Sequence, residues 1–572
     1  MPRPNAFIRS VTFSDGTQID VARTDIVVIV GANNVGKSVA LKEIHEKALL
    51  KSHATTVVRD VSVEVDGSPE DLDAWLERTC RKRNNPSEPN NPSYSRLRTT
   101  VSSRGAKRSW QNASTHGLDQ LGRLFIYRLT TDARLQAANP ATNIQITREP
   151  LTHPIHYMQV DDSIEEKISK IFHQAFGEEI IVHRNAGNQV PLYCGTRPEL
   201  GEDEDRVSPT YIRRLESLPT LQSQGDGMRA FVGVLLHAFI VEHSAVLIDE
   251  PEAFLHPPQA RFLGRLLVEQ APKDRQLFVA THSGDVLRGL LDADSKRVRI
   301  LRIQRNGNVN PIAELDNAGI RRLWNDPLLR YSNVLDGVFH SGVVVCESDS
   351  DCRFYAAIRD AITEGGGGTP GDDSMFVHAG GKDRMAVVIR SLRNLKVPVS
   401  AVADFDVLNT RTTVQRLWEG LGGQWDRVQG DWELVRDSIE SKKPELETEE
   451  VRREIDEVLQ AVKESHFPKN ASKRIQQILR RSSPWATAKG VGKRFVPSGD
   501  PTQACDRLFD TLKSQGLFVV DVGELEGWCR SVGSHGPAWV NAVLEKNLLE
   551  DRELAPACEF VKGLLPSRAL NE

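Results

Sequence analysis

The stretch IVVIVGANNVGKSVALKEI (26–44) constrains the fold of this chain more than any other. Five β-branched aliphatic residues read as a strand buried on both faces. The apolar spacing after the glycines switches to a helical period. Strand, glycine loop and helix in that order open an α/β unit that binds phosphate groups. Residues 31–38 fit G-x-x-x-x-G-K-[S/T] at every position. Gly31, Asn34 and Gly36 belong to a loop whose backbone N–H groups wrap phosphate oxygens. Lys37 reaches the β/γ oxygens of a nucleotide, and Ser38 offers its hydroxyl to magnesium.

Two further runs share this character, SAVLIDE (244–250) and RQLFVATHS (275–283), with a helical segment between them. The first ends in Asp249 and Glu250. Asp249 is expected to hold magnesium and Glu250 to polarise the attacking water as a general base. Glu252 is a candidate second carboxylate behind them, and His282 ends the second run. LQSQGDGMRAFVGVLL (221–236) sets Ser223 and Gly225 ahead of a buried helix, a small-residue N-terminus that suits an anion. Residues 1–335 therefore read as one α/β nucleotide-binding domain. The long interval between its first and second motifs must contain insertions.

At 572 residues the chain exceeds what one core can organise. A formal charge of −5 excludes a globally basic nucleic-acid binder, though not a local basic patch. The seven cysteines form no C-x-x-C pair, which excludes a zinc ribbon and favours a reducing compartment. No signal peptide is visible. The longest apolar run, AFVGVLLHAFIV with His237 inside it, is too short to span a bilayer and suits a buried helix. The expectation is a cytoplasmic protein with no membrane partner. Residues 81–112 form an insertion rich in Asn, Pro and Ser, with eight Lys/Arg against one Glu in 81–108. It reads as a flexible surface loop or as a basic arm that touches a phosphate backbone.

A second α/β unit, 336–572, opens at GVVVCESDSD (342–351), where a buried-strand run meets Glu347 and Asp351. Fifty residues on, SAVADFD (400–406) ends another such run on Asp404 and Asp406. Either these acids solvate strand ends, or two strands present them to a cation. Carboxylates packed that closely repel unless a cation joins them. Hard oxygen ligands suit Mg²⁺ or Mn²⁺, which can promote phosphodiester hydrolysis. Lys489 and Lys493 in AKGVGKRF are candidates to neutralise charge on the cleaved phosphate, and Glu524 in GELEGW is a candidate further ligand. Residues about 430–485 read as a helical insertion, with Val451, Ile455, Val458, Leu459 and Val462 on one face.

The order P-loop, serine–glutamine–glycine segment, Asp–Glu strand and strand-end histidine resembles the ABC ATPases of the RecF and SMC kind. That resemblance implies that His282 senses the γ-phosphate. It also implies that the segment at Ser223 and Gly225 closes on the nucleotide of a partner subunit. The Glu…Asp-x-Asp pattern resembles the TOPRIM domain. HAGGKDR (378–384) looks like the glycine–lysine turn of its nuclease-type members, and the family's glycine after the glutamate is Ser348 here. An ABC-type ATPase followed by TOPRIM resembles the OLD family, which includes the ATPase–nuclease subunit of Gabija defence systems. The resemblance implies a nucleotide-regulated, metal-dependent DNA endonuclease using ATP and Mg²⁺ or Mn²⁺. It implies a dimer or tetramer formed through the ATPase domain, a role against phage, and a helicase or other partner from the same operon. The alternative is an ATPase sensor whose TOPRIM domain binds without cleaving or acts on RNA.

Overall fold

The computed structural model describes residues 3–97, 99–202, 204–293, 295–315, 333–366, 373–442, 448–462, 466–480 and 484–564. The chain divides into two compact units, Met1–Asn325 and Asp326–Glu572. The expected change-over at 335/336 lies ten residues beyond that division.

The first unit is built on six strands: β1 (Ile26–Val30), β2 (Ile126–Leu129), β3 (Ala245–Asp249), β4 (Gln276–Ala280), β5 (Val298–Ile303) and β6 (Ile312–Glu314). Their order is β6-β5-β1-β4-β3-β2. All pairings are parallel except β5 with β6. Every residue of β1 and β4 is buried, as is β3 up to Asp249. These are the runs nearly devoid of polar residues, because helices cover both faces of a parallel sheet. Helix α1 (Lys37–Leu49) leaves the P-loop directly. The central strands β1, β4 and β3 all end on the same edge, so Gly31, His282 and Asp249 come from adjacent strand ends.

Two expectations change here. The helix from Asp226 runs regularly only to Leu235 and then forms one π-turn, Leu236–Ile240. His237 is buried in that turn, stacked on Tyr127 at 4.4 Å and 3.3 Å from His243. Residues 81–112 are a folded piece: three antiparallel strands (Arg81–Asn85, Glu88–Arg96, Thr99–Ser102) and a helix (Ser103–Gln111). Its first strand has no apolar residue and is exposed throughout, so alternation could not announce it. The register is set further on, where Tyr94 faces Val101 across the pair and both are buried. Three of its basic residues are paired in place, Lys82 with Glu77, Lys107 with Asp73 and Arg81 with Glu149.

The second unit carries four parallel strands, β7 (Val343–Cys346), β8 (Met375–His378), β9 (Val399–Ala403) and β10 (Leu517–Val519), in the order β8-β7-β9-β10. Helix α2 (Asp349–Glu364) follows β7, and α3 (Lys382–Asn394) follows β8. The connection between β9 and β10 includes the helices Gln429–Glu440, Thr448–Ala461, Lys469–Arg480 and Pro484–Val491. In the middle pair Val458 packs with Ala471 and Ile478, flanked by Val451, Ile455 and Val462. Leu459, expected on that face, is 46% exposed, because an i, i+1 neighbour of Val458 points about 100° away round the helix. Among the described residues no helix is long and apolar enough to cross a membrane.

Candidate nucleotide and metal sites

At the P-loop the backbone geometry requires glycine. Gly31 has φ 151°, and a Cβ there would lie 2.3 Å from the Ile303 carbonyl oxygen. Gly36, at φ 102°, caps α1, and Asn34 also takes a left-handed conformation at φ 60°. Lys37 is buried, and its Nζ donates to the carbonyls of Gly31 (2.9 Å) and Ala32 (2.7 Å). Ser38 Oγ donates to Asp249 Oδ1 at 2.9 Å, joining positions 211 residues apart. The two groups expected to share magnesium thus touch. Burial raises the Asp249 pKa, which the Ser38 hydrogen bond opposes.

Glu250 stands at φ 47°, outside the ordinary region for a non-glycine residue. Its N–H donates to the Ala280 carbonyl (2.8 Å), and its own carbonyl accepts from the fully buried Arg134 (2.8 Å). His282 Nδ1 lies 3.3 Å from Glu250 and 3.4 Å from Glu252. Glu252 also accepts from Thr281 Oγ1 (2.7 Å) and the His282 N–H (3.0 Å), and burial raises its pKa. Glu252 therefore orients the histidine from behind, while Glu250 remains half-exposed. Among the described residues no hydrogen bond joins Ser223 or Gly225 to the P-loop. Ser223 Oγ donates to the Thr220 carbonyl, and Gly225 caps the helix from Asp226. Gly227 is the close contact, since a Cβ there would lie 2.6 Å from the Phe254 carbonyl oxygen just beyond β3. Arg134 carries no mark of its role in the local sequence pattern, and sequence reasoning misses it.

In the second unit Glu347 follows β7, Asp404 follows β9, and Asp406 sits in the 3₁₀ turn Phe405–Asn409. Each offers a carboxylate oxygen within 4.8 Å of the others. The Asp404 N–H donates to Glu347 Oε1 at 3.3 Å. Burial, then the neighbouring Glu347 charge, pushes the Asp404 carboxyl up to about 7, and burial with Asp406 raises Glu347. Lys382 Nζ contacts Asp406 Oδ2 at 2.7 Å, and Lys489 Nζ lies 3.1 Å from Asp404 and 3.9 Å from Glu524. Asp406 Oδ1 is buried with no hydrogen-bond partner. Lys489 is delivered by an interlock of two glycines. A Cβ on Gly492 would lie 2.1 Å from the Asp521 carbonyl oxygen, and one on Gly523 2.1 Å from that of Lys489. The Gly523 carbonyl in turn accepts from the Phe405 N–H.

Two expected site residues make other contacts in this structure. Asp351 closes a capping box with Ser348 at the start of α2, one carboxylate oxygen accepting from both the Ser348 N–H (2.8 Å) and hydroxyl (2.9 Å). It is not one of the three converging acids. The S-x-x-D spacing was readable as this cap. Lys493 pairs with Asp506, away from the acids. Lys382 joins the site instead, placed by the Gly381 N–H donating to the Glu347 carbonyl (2.9 Å); the GGK turn carried that signal. Glu524, Glu526 and the 81%-exposed His535 form a second candidate group, with His535 3.6 Å from Glu526.

Residues 136–288 match the family model described as "AAA domain, putative AbiEii toxin, Type IV TA system". That interval holds Ser223, Gly225, Asp249, Glu250 and His282, leaves the P-loop outside, and ends before the second unit begins. With the P-loop and the strand order, it defines an α/β P-loop ATPase domain. No curated protein matches the chain. Among solved structures the chain is similar to the Smc head bound to the C-winged helix domain of ScpA, at 14% identity and TM-score 0.34, over 55% of this chain and 99% of that one. A Pyrococcus furiosus Smc head domain with an extended coiled coil, bound to the C-terminal domain of ScpA, gives 12% and 0.33 over 56% and 99%. The SMC head domain from Thermotoga maritima gives 15% and 0.27 over 55% and 100%.

Proposed function

We propose that the protein is a nucleotide-regulated, divalent-metal-dependent DNA endonuclease of the OLD kind, an ABC-type ATPase joined to a TOPRIM unit and acting against foreign DNA. The observation that carries this reading is the convergence of Glu347, Asp404 and Asp406, with one carboxylate oxygen of Asp406 buried and unpartnered. Three close carboxylates, one with its pKa raised to about 7, fit a hard divalent cation. Glu347, Asp404 and Asp406 would hold Mg²⁺ or Mn²⁺. The ion supplies Lewis-acid polarisation of a phosphate oxygen when bound. Lys489 balances charge beside Asp404, and Lys382 fixes Asp406.

In the ATPase unit Lys37 would meet the β/γ oxygens of ATP, and Ser38 with Asp249 would hold its magnesium. Glu250, with His282 beside it, would take a proton from the attacking water. Pinning the Glu250 backbone from both sides limits its reorganisation during that transfer. Self-association as a dimer or tetramer through the ATPase unit, DNA as substrate and a helicase partner belong to the same reading.

Incubating supercoiled plasmid with Mn²⁺ or Mg²⁺ tests it, comparing the natural protein with Glu347→Ala. Divalent-dependent nicking by the first alone is expected, and equal nicking by both removes the assignment. The second reading is a sensor whose acidic unit binds without cutting or acts on RNA. Lys382 and Lys489 favour it, because they already neutralise two of the acids.

A further inference from the structure

A second charged site lies in the ATPase unit at the edge of the sheet opposite the P-loop. Arg275 precedes β4, and Glu242, His243 and Ser244 precede β3. The strands between this edge and Asp249 are five residues long, so the two edges are about 16 Å apart. The N-terminal segment reaches this edge too: Ser244 Oγ donates to Asn5 Oδ1 and accepts from the Ala6 N–H.

Two buried arginines here are treated differently. Arg275 spends its donors on backbone carbonyls at the end of the π-turn, of Ala238 (2.6 Å), Val241 (2.7 Å) and His243 (3.0 Å). Arg96 is 3% exposed and lies over the Trp75 ring at 5.4 Å. Its only side-chain hydrogen bond among the described residues goes from Nη2 to the Tyr157 hydroxyl, and its Nε and Nη1 are buried without partners. Arg3, partly buried, leaves Nε and Nη2 in the same condition. No carboxylate lies within ion-pair distance of either guanidinium among the described residues. Burial lowers the Arg3 pKa, with Glu242 and Asp274 opposing and Arg96 adding to the fall. A buried charge without a hydrogen-bonded counter-charge costs several kcal/mol. Four orphaned guanidinium donors in one neighbourhood are the complement of a tetrahedral oxyanion.

We propose that Arg3, Arg96 and Tyr157 bind a small phosphate-type oxyanion, as free phosphate or the phosphate of a mononucleotide, at the sheet edge remote from the P-loop. The burial of Arg96 excludes the backbone of a duplex, which leaves a small anion as the ligand of this proposal. This inference is independent of the reading given to the second unit.

The test is thermal unfolding of the full chain carrying Lys37→Ala, which disables the P-loop as a competing phosphate site. Inorganic phosphate and AMP are added in parallel at about 10 mM, against chloride at equal ionic strength. Phosphate is expected to raise Tm by about 2 °C or more, and adding Arg96→Met is expected to abolish that shift without lowering the anion-free Tm. A shift with both additives assigns the phosphate group alone as ligand, whereas a larger shift with AMP assigns the mononucleotide. If Arg96→Met does not fold, Tyr157→Phe and Arg3→Met are read in its place, and each is expected to halve the shift at least. No shift in the Lys37→Ala chain, or a full shift retained in the arginine variants, overturns the proposal. An Arg96-dependent shift with a short DNA duplex but not with phosphate also overturns it, in favour of a nucleic-acid backbone.

Discussion

The two units place carboxylates at the C-terminal ends of parallel strands, yet surround them in opposite ways. In the ATPase unit each acid meets a donor from its own constellation: Asp249 meets Ser38, and Glu252 meets Thr281 and His282. In the second unit the acids meet one another, and two lysines are drawn in against them. The first arrangement gathers its positive groups, the loop N–H donors and Lys37, on the loop just beyond β1. The second concentrates negative charge, offset in part by the two lysines. Equivalent positions on two sheets thus carry different charge patterns, and the difference lies in what stands just beyond each strand.

The largest effect should come from breaking the second arrangement. Glu347→Ala or Asp404→Ala is expected to reduce divalent-dependent nicking by roughly 10³-fold or more, with nucleotide binding intact by calorimetry. Breaking the first comes next. Glu250→Gln should slow ATP hydrolysis by about 10²–10³-fold while ATP still binds, and Lys37→Ala should abolish binding itself; a fluorescent nucleotide titration separates the two.

A pH series divides the units again. His237 is held neutral by burial, its pKa lowered to about 3, His45 is lowered to about 4 and His243 is lowered well below its usual value. These folded values lie below the unfolded one, so the unfolded chain binds more protons between them. Stability is complete above about pH 6.5 and declines as pH falls toward 3, by about 1.4 kcal/mol per pH unit for each histidine. Protection factors against hydrogen exchange for peptides covering 230–250 should fall between pH 7 and 5, and His237→Gln should flatten that slope.

The smallest effect is expected at Asp351. Asp351→Ala removes one half of the capping box with Ser348 and should cost about 1 kcal/mol, with nicking reduced less than tenfold. A loss equal to that of Glu347→Ala would return Asp351 to the metal site.

Much of both sites was legible because strands buried on both faces announce themselves as unbroken apolar runs, and the residue that ends such a run stands at the crevice. Gly31, Lys37, Asp249, Glu347, Asp404 and Asp406 were all readable in this way. Arg134 was not, because its role is to hold a backbone carbonyl 116 residues away, and no local spacing encodes that. Lys489 and Lys493 were indistinguishable on a helix and the turn after it. The interlock at Gly492 and Gly523 separates them, sending one lysine to Asp404 and the other to Asp506. The strand at 81–85 escaped because an edge of purely polar residues has no alternation to read.

That glycine interlock has a corollary for the chain's modular history. The seat of Lys489 is fixed by residues 521–523, just beyond β10, whereas the apolar residues of the helices Thr448–Ala461 and Lys469–Arg480 pack on each other. Excising the pair is therefore expected to leave the lysine at its station, which a crystal structure of the trimmed chain checks. A trimmed version that retains the two glycines is a natural scaffold for transplanting new recognition elements beside the acids.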